Sequence, residues 1–280
     1  MALPIKLIST DFDGTFFAEF ENPPVPPELL KLIGQLQSQG ARWVINTGRD
    51  LSSLLETLAR ARLPIRPDFL VVVEREIYLH RDSRYVECTE WNQACTEAHR
   101  LLFERVRQDL PALTAWVRRR FTATLYEDVY SPLCFIAESV ADANQIHAYL
   151  DDYCKQVPGL TVVRNDIYAR FSHRDYNKGS ALSEIARLLG VTPEETFAAG
   201  DHYNDMEMLS LKHARWLSAP ANAIELVQAS VQRQNGYVSK WPHGRGVADG
   251  LEFCLKRATV LSFVDLLGDR NRNPRGGIQP

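Results

Sequence analysis

Cysteine is scarce and shows no pairing pattern. The five residues Cys88, Cys95, Cys134, Cys154 and Cys254 form an odd set without C-x-x-C spacing. This argues against a disulfide framework or a zinc ribbon and predicts separate thiols in a reducing, cytoplasmic setting. Long apolar runs are also missing: stretches such as Leu70–Val73 fall far short of a bilayer span. The opening residues Met1-Ala2-Leu3-Pro4-Ile5-Lys6 lack the basic start and extended apolar core of a secretory signal. Neither sign of charge dominates. With 32 Lys+Arg against 35 Asp+Glu the net charge is −3, which leaves no electrostatic footprint for wrapping nucleic acid. No internal repeat or low-complexity block is present. What remains is a chain of 280 residues, 45% hydrophobic and 24% charged, with room for one large domain or two smaller ones. The expectation is a soluble cytoplasmic protein with neither a nucleic-acid nor a membrane partner.

Strand and helix signals alternate from the start. Lys6–Thr10 reads as a buried strand, and the Pro-rich stretch Asn22–Pro27 as a loop. Leu29, Leu30, Leu32, Ile33 and Leu36 then recur at helical spacing up to Gly40. Trp43–Asn46 and Phe69–Val73 are further strands, separated by a helix over Leu51–Leu63 with Asp50 as its N-cap. The same rhythm returns late: a helix from Asn177 to Leu189 closed by Gly190, a strand at Thr196–Ala199 and a short helix at Asp205–Leu211. A strand at Arg215–Leu217 follows, then a helix from Pro220 through Val227 and another over Val247–Lys256. This order predicts a Rossmann-like, doubly wound α/β sheet. Between Ile77 and Phe171 the pattern changes to two helices (Glu90–Gln108, Val140–Cys154) and four strands (Phe121–Tyr126, Leu133–Glu138, Leu160–Val163, Ile167–Phe171), the last two flanking a turn at Asn165-Asp166. The expected organisation is a core of residues 1–79 and 174–268, an α+β insert over 80–173, and a disordered tail over 269–280.

Four short segments sit where such a sheet places ligands, at strand ends and helix starts. The first strand runs into Asp11-Phe12-Asp13-Gly14-Thr15, with two carboxylates able to face one crevice and Gly14 permitting a sharp turn. A solvated turn is the plainer reading, and a calcium loop would need oxygen ligands to continue where Phe16 stands. The second strand ends in Asn46-Thr47-Gly48-Arg49, whose hydroxyl and amides could donate to a phosphoryl oxygen. Lys178 opens a helix, where a cation and the positive helix end both attract an anion. The strand Thr196–Ala199 ends in Gly200-Asp201-His202-Tyr203-Asn204-Asp205, which could supply a metal ligand and a partner for Lys178.

Together these segments resemble the haloacid dehalogenase-like hydrolases, with DFDGT at 11–15, Thr47, Lys178 and GDHYND at 200–205. An insert at the second position resembles the Cof-like, C2-capped members (subfamily IIB). Val73–Tyr78 is similar to the sucrose-phosphate phosphatase branch. The resemblance implies a phosphatase for a small phosphorylated metabolite, sugar phosphates favoured, acting through an aspartyl phosphate on Asp11. It implies Mg²⁺ held by Asp11, the Asp13 carbonyl and Asp201, in keeping with an all-oxygen donor set. Asp13 would serve as general acid and base, and Thr47 and Lys178 would bind phosphoryl oxygens. Gly14, Gly48, Arg49 and Asn204 would line the phosphate site, and Asp205 would orient Lys178. A phosphomutase or phosphotransferase on the same core is the alternative, followed by a phospho-aspartate signalling or binding module. His202 reads as a neighbour of the site, Arg118–Arg120 as a solvated cluster, and Trp91 and Trp116 as core. For Arg49 a phosphate contact and a structural ion pair both stay open, and His243-Gly244-Arg245 could form a loop near the cleft.

Overall fold

The computed structural model describes residues 3–271, with side chains up to residue 260. Its strands and helices in chain order are β1 (Leu7–Thr10), α1 (Pro27–Ser38), β2 (Arg42–Asn46), α2 (Leu51–Ala61), β3 (Phe69–Val72), β4 (Glu76–Arg81) and β5 (Arg84–Glu87). Next come α3 (Thr89–Val106), α4 (Leu110–Arg118), β6 (Ala123–Asp128), β7 (Ser131–Ala137), α5 (Val140–Cys154), β8 (Leu160–Asn165) and β9 (Tyr168–His173). The chain continues through α6 (Lys178–Leu189), β10 (Thr196–Ala199), β11 (Trp216–Ala219), α7 (Glu225–Arg233), β12 (Tyr237–Val238) and α8 (His243–Asn271).

An eight-stranded sheet has the order β12-β11-β10-β1-β2-β3-β4-β5. Strands β12 to β3 in that order are parallel, and β4 and β5 add an antiparallel edge hairpin. Successive connections move outward on one side of β1, then on the other. The strand order therefore reverses at β1, and the carboxyl ends of β1, β2 and β10 meet there, where open α/β sheets form their crevice.

The alternation of strand side chains sorts the core into two layers. Ile8, Trp43, Ile45, Leu70 and Phe197 pack with Leu29, Ile33, Leu54 and Leu251 of α1, α2 and α8. Leu7, Val44, Val71 and Ala198 pack with Leu182, Ile185 and Val227 of α6 and α7 on the other face. A separate four-stranded sheet, order β6-β7-β9-β8, is fully antiparallel and has its own core. There Phe135, Phe171 and Leu160 meet Val106, Val117, Ile146 and Leu150 of α3, α4 and α5.

Local signals act as anticipated at several points. Asp50 caps α2 by accepting from the Ser53 amide, Gly190 closes α6 in left-handed conformation, and a hairpin turns at Asp166. Elsewhere the chain differs. The long helix expected to Gln108 stops at Val106, and α4 starts afresh with Pro111 in its first turn. Residues 220–224 form a turn before α7, and 203–205 make only a single 3₁₀ turn. The helix expected over Val247–Lys256 spans His243–Asn271, so residues 269–271 of the expected tail are helical, while 272–280 lie outside the described residues. Among the described residues all five cysteines are free, and no helix is long and apolar enough to cross a membrane.

Candidate active site

Asp11, Thr47 and Asp201 follow β1, β2 and β10, so one edge of the sheet brings all three segments together. Lys178 joins them as the first residue of α6. The helix start is fixed by Asn177, whose side chain accepts from the Gly179 and Ser180 amides while Ser180 Oγ accepts from the Asn177 amide. This capping box satisfies the free amides of the first turn and directs the lysine at the sheet edge.

The Lys178 side chain is fully buried. Its Nζ donates to Asp11 Oδ1 at 2.6 Å and to Asp205 Oδ1 at 2.7 Å. Asn46 Nδ2 donates to the Lys178 carbonyl at 2.9 Å, pinning the backbone of the same residue. Asp205 Oδ2 accepts from the Asp201 and His202 amides at 2.8 and 2.9 Å, so the carboxylate that steadies the lysine also shapes the loop after β10. Gly200 is required there, since a Cβ would fall 2.5 Å from Asp205.

The electrostatics follow from burial and charge count. Burial disfavours the Lys178 ammonium, but Asp11 and Asp205 outweigh it and hold it charged, above the ordinary lysine value. Burial pushes the Asp11 carboxyl well above the usual range, with Asp205 adding to it and Lys178 opposing. Burial and then Asp205 raise Asp201 to about 7. Ligand oxygens of Asp11, Asp201 and Asp205 lie within 4.8 Å of one another. Three carboxylates share one lysine, an imbalance that a hard divalent cation would correct, and the donor set is oxygen throughout. Gly14 adopts φ 76°, and a Cβ on it would meet Asp201 Oδ2 at 2.5 Å, so glycine lets the two loops close together. Thr15 Oγ1 donates to Asp201 Oδ1 at 2.9 Å.

The other expected residues have definite partners. Thr47 is buried, and its hydroxyl accepts from the Arg49 amide at 3.2 Å. The Arg49 guanidinium forms a two-pronged pair with Asp13 at 2.7 and 2.6 Å and also donates to Thr57 Oγ1, which makes it an ion-pair partner of Asp13. Asn204 Nδ2 donates to Glu74 Oε1 at 3.0 Å. His202 Nδ1 accepts from the Asp166 amide of the four-stranded unit at 3.2 Å. Arg118, Arg119 and Arg120 are exposed, with Arg120 stacked on Trp116. Trp116 stacks on Tyr149, and Trp91 Nε1 donates to the Arg75 carbonyl.

Comparison with known proteins agrees with this arrangement. A family profile described as haloacid dehalogenase-like hydrolase matches residues 117–251, a range containing Lys178, Asp201 and Asp205. The profile spans just under half of the chain, and that stretch is similar to haloacid dehalogenase-like hydrolases. Among solved structures, this chain's fold resembles that of the sucrose-phosphatase of Synechocystis sp. PCC6803 with a TM-score of 0.69 and 16% identity, over 90% of this chain and 98% of that one. A haloacid dehalogenase-like hydrolase from Bacteroides thetaiotaomicron gives a TM-score of 0.58 and 18% identity, over 89% and 98%. The glucosylglycerol-phosphate synthase of Pseudomonas anguilliseptica is 29% identical over 216 residues, 73% of this chain but only 25% of the synthase.

Sequence reasoning missed three residues of this site region, Asn222, Glu74 and Arg170, and gave a fourth, His243, as part of a loop where it in fact opens α8. Asn222 Nδ2 donates to the Gly14 carbonyl at 2.8 Å and to Asp201 Oδ2 at 3.2 Å, tying the two acidic loops together. His243 Nδ1 lies 3.0 Å from the same Gly14 carbonyl, and the His243 amide donates to Asn222 Oδ1. Glu74 and Arg170 form a buried ion pair at 2.8 Å between the two sheets. Burial would raise the Glu74 carboxyl, but Arg170 and then Lys178 hold it below its ordinary value. No local pattern betrays Asn222, Glu74 or Arg170. The nearest signal was the unusual Val73–Tyr78 segment, which contains Glu74.

Proposed function

We propose that this chain is a Mg²⁺-dependent phosphatase that hydrolyses a small phosphorylated metabolite through an aspartyl phosphate on Asp11. The single observation that carries the reading is the Asp11–Lys178–Asp205 bridge at the sheet edge. A buried ammonium on the attacking carboxylate offsets its repulsion from a phosphate dianion.

Asp11 attacks phosphorus and takes the phosphoryl group, and the alcohol leaves. Thr47 Oγ1 and the Gly48 amide donate to phosphoryl oxygens, and Lys178 balances the charge that builds there. Asp205 and Asn46 keep the lysine in place. Asp13 protonates the departing alkoxide, for which it trades Arg49 for a proton, and then draws a proton from the water that opens the acyl phosphate. Asp11, Asp201 and the Asp13 carbonyl would hold Mg²⁺, which when bound supplies positive charge to neutralise the phosphate.

The four-stranded unit with its helices acts as a cap that selects small substrates over bulky ones; it starts after Glu87 rather than at residue 80, because β4 and β5 pair into the large sheet. Two of the similar proteins have names that refer to sugar phosphates, and sugar phosphates are the substrates we favour. The chain spans a quarter of the synthase, so the synthase's own reaction is not carried over. The test is a Mg²⁺-supplemented phosphate-release screen over sugar phosphates, glycerate phosphates, nucleotides and pyridoxal phosphate. Release from at least one class is expected, lost on chelation. Asp11→Asn should abolish turnover with the circular dichroism spectrum unchanged. Wild-type-like turnover in that variant would rule out the covalent route.

A further inference from the structure

The turn between β3 and β4 carries costs that the sheet itself does not require. Val73 and Glu74 both take left-handed backbone, at φ 45° and 68°. A two-residue reversal of this kind suits Asn-Gly, and a β-branched valine is strained in it. Glu74 also buries a carboxylate, 6% exposed, between the two sheets.

Its contacts indicate what these costs serve. Glu74 Oε2 accepts from Arg170 Nη2 at 2.8 Å, and Oε1 accepts from Asn204 Nδ2 at 3.0 Å. The same Arg170 nitrogen donates to the Val73 carbonyl at 2.8 Å, holding the strained turn. In return the Val73 and Glu74 amides donate to the Arg49 and Thr47 carbonyls, each at 2.9 Å. A Cβ on Gly48 would lie 3.2 Å from Glu74 Oε1. The carboxylate therefore lies against the Thr47-Gly48-Arg49 loop and against Asn204. It also walls a cavity of about 360 Å³ together with Lys178, Asn204, Tyr203 and, from the four-stranded unit, Arg164 and Val163. Arg174, His147 and Glu207 line it as well, and of its two acidic groups Glu74 alone is buried. An ionised carboxylate has about four lone-pair positions and no donor, and two of these are taken.

We propose that Glu74 is a specificity residue whose carboxylate accepts hydrogen bonds from hydroxyl groups of the leaving alcohol seated in this cavity. The inference rests on the phosphatase reading above. A hydroxylated leaving group satisfies the remaining acceptor positions. An alkyl group leaves the buried charge facing carbon.

The experiment compares kcat/KM for the most active sugar phosphate of the screen with that for n-butyl phosphate, using the full chain with Mg²⁺. The wild type should favour the sugar phosphate by on the order of 10² or more. Glu74→Gln should lower that ratio at least tenfold, whatever the absolute loss. A scaffold role would depress both substrates alike, so an unmoved ratio overturns the proposal, as does a wild type with no preference. Should the single variant not fold, Glu74→Gln/Arg170→Met buries no orphan charge and is judged by the same ratio. Failure of the phosphatase reading looks different: the wild type then releases phosphate from no ester at all.

Discussion

Two buried ion clusters stand near each other in this molecule and are built on opposite plans. Lys178 with Asp11 and Asp205 belongs wholly to the parallel sheet, at the ends of β1 and β10 and the start of α6. It carries more negative charge than its lysine neutralises, an excess that a further cation would offset. Glu74 with Arg170 joins two separately packed units, is balanced in charge, and is completed by neutral donors. The first cluster leaves negative charge unbalanced at the sheet edge, and the second holds one unit against the other and shapes the space between them. Burial alone does not tell the two apart. The balance of charge and the number of elements contributing to it do.

Substitutions can break this contrast, the largest effect lying at the joint. Arg170→Met strands the Glu74 carboxylate in the interior and should cost about 3–5 kcal/mol in denaturant unfolding. The Glu74→Gln/Arg170→Met double variant should recover most of that loss. If it does not, the pair contributes more than charge compensation. At the sheet edge the expected damage is kinetic. Lys178→Ala should lower kcat by on the order of 10²–10³, as when one charge-stabilising donor is lost. A loss below threefold would reduce Lys178 to a packing residue.

The smallest effect concerns acid lability at the joint. His99 is buried on α3, with Nε2 near Ser172 Oγ and the His173 amide, and burial followed by Arg75 lowers it to about 3. The folded chain keeps it neutral where the unfolded chain, near 6.5, takes up a proton. Its contribution is complete above pH 6.5 and is lost as pH falls toward 3, amounting to about 2 kcal/mol by pH 5. The drop in unfolding free energy between pH 7 and pH 5 should shrink in His99→Gln. An unchanged drop would assign the lability to other groups.

The same contrast explains what could be read from the sequence. Asp11, Thr47, Lys178, Asp201 and Asp205 were legible because each lies just past a strand or at a helix start, so topology alone brings them together. Glu74 and Arg170 were not, since their meeting depends on how an insert docks and the residues are 96 positions apart. The β4–β5 hairpin escaped because its charged residues, Glu76, Arg81, Arg84 and Glu87, and its left-handed turn at Asp82 and Ser83 resemble loop chemistry. Arg49 illustrates a third case. Its position was readable, but its partner Asp13 followed only from the geometry.

The path of the chain has one more consequence. It leaves the large sheet once, after Glu87, and returns once, just before Asn177. An engineer could cut at those two places and transplant a foreign insert without touching Asp11, Asp201 or Asp205. The graft would have to be matched to the β3–β4 turn, because the glutamate that greets the incoming arginine stays behind with the host.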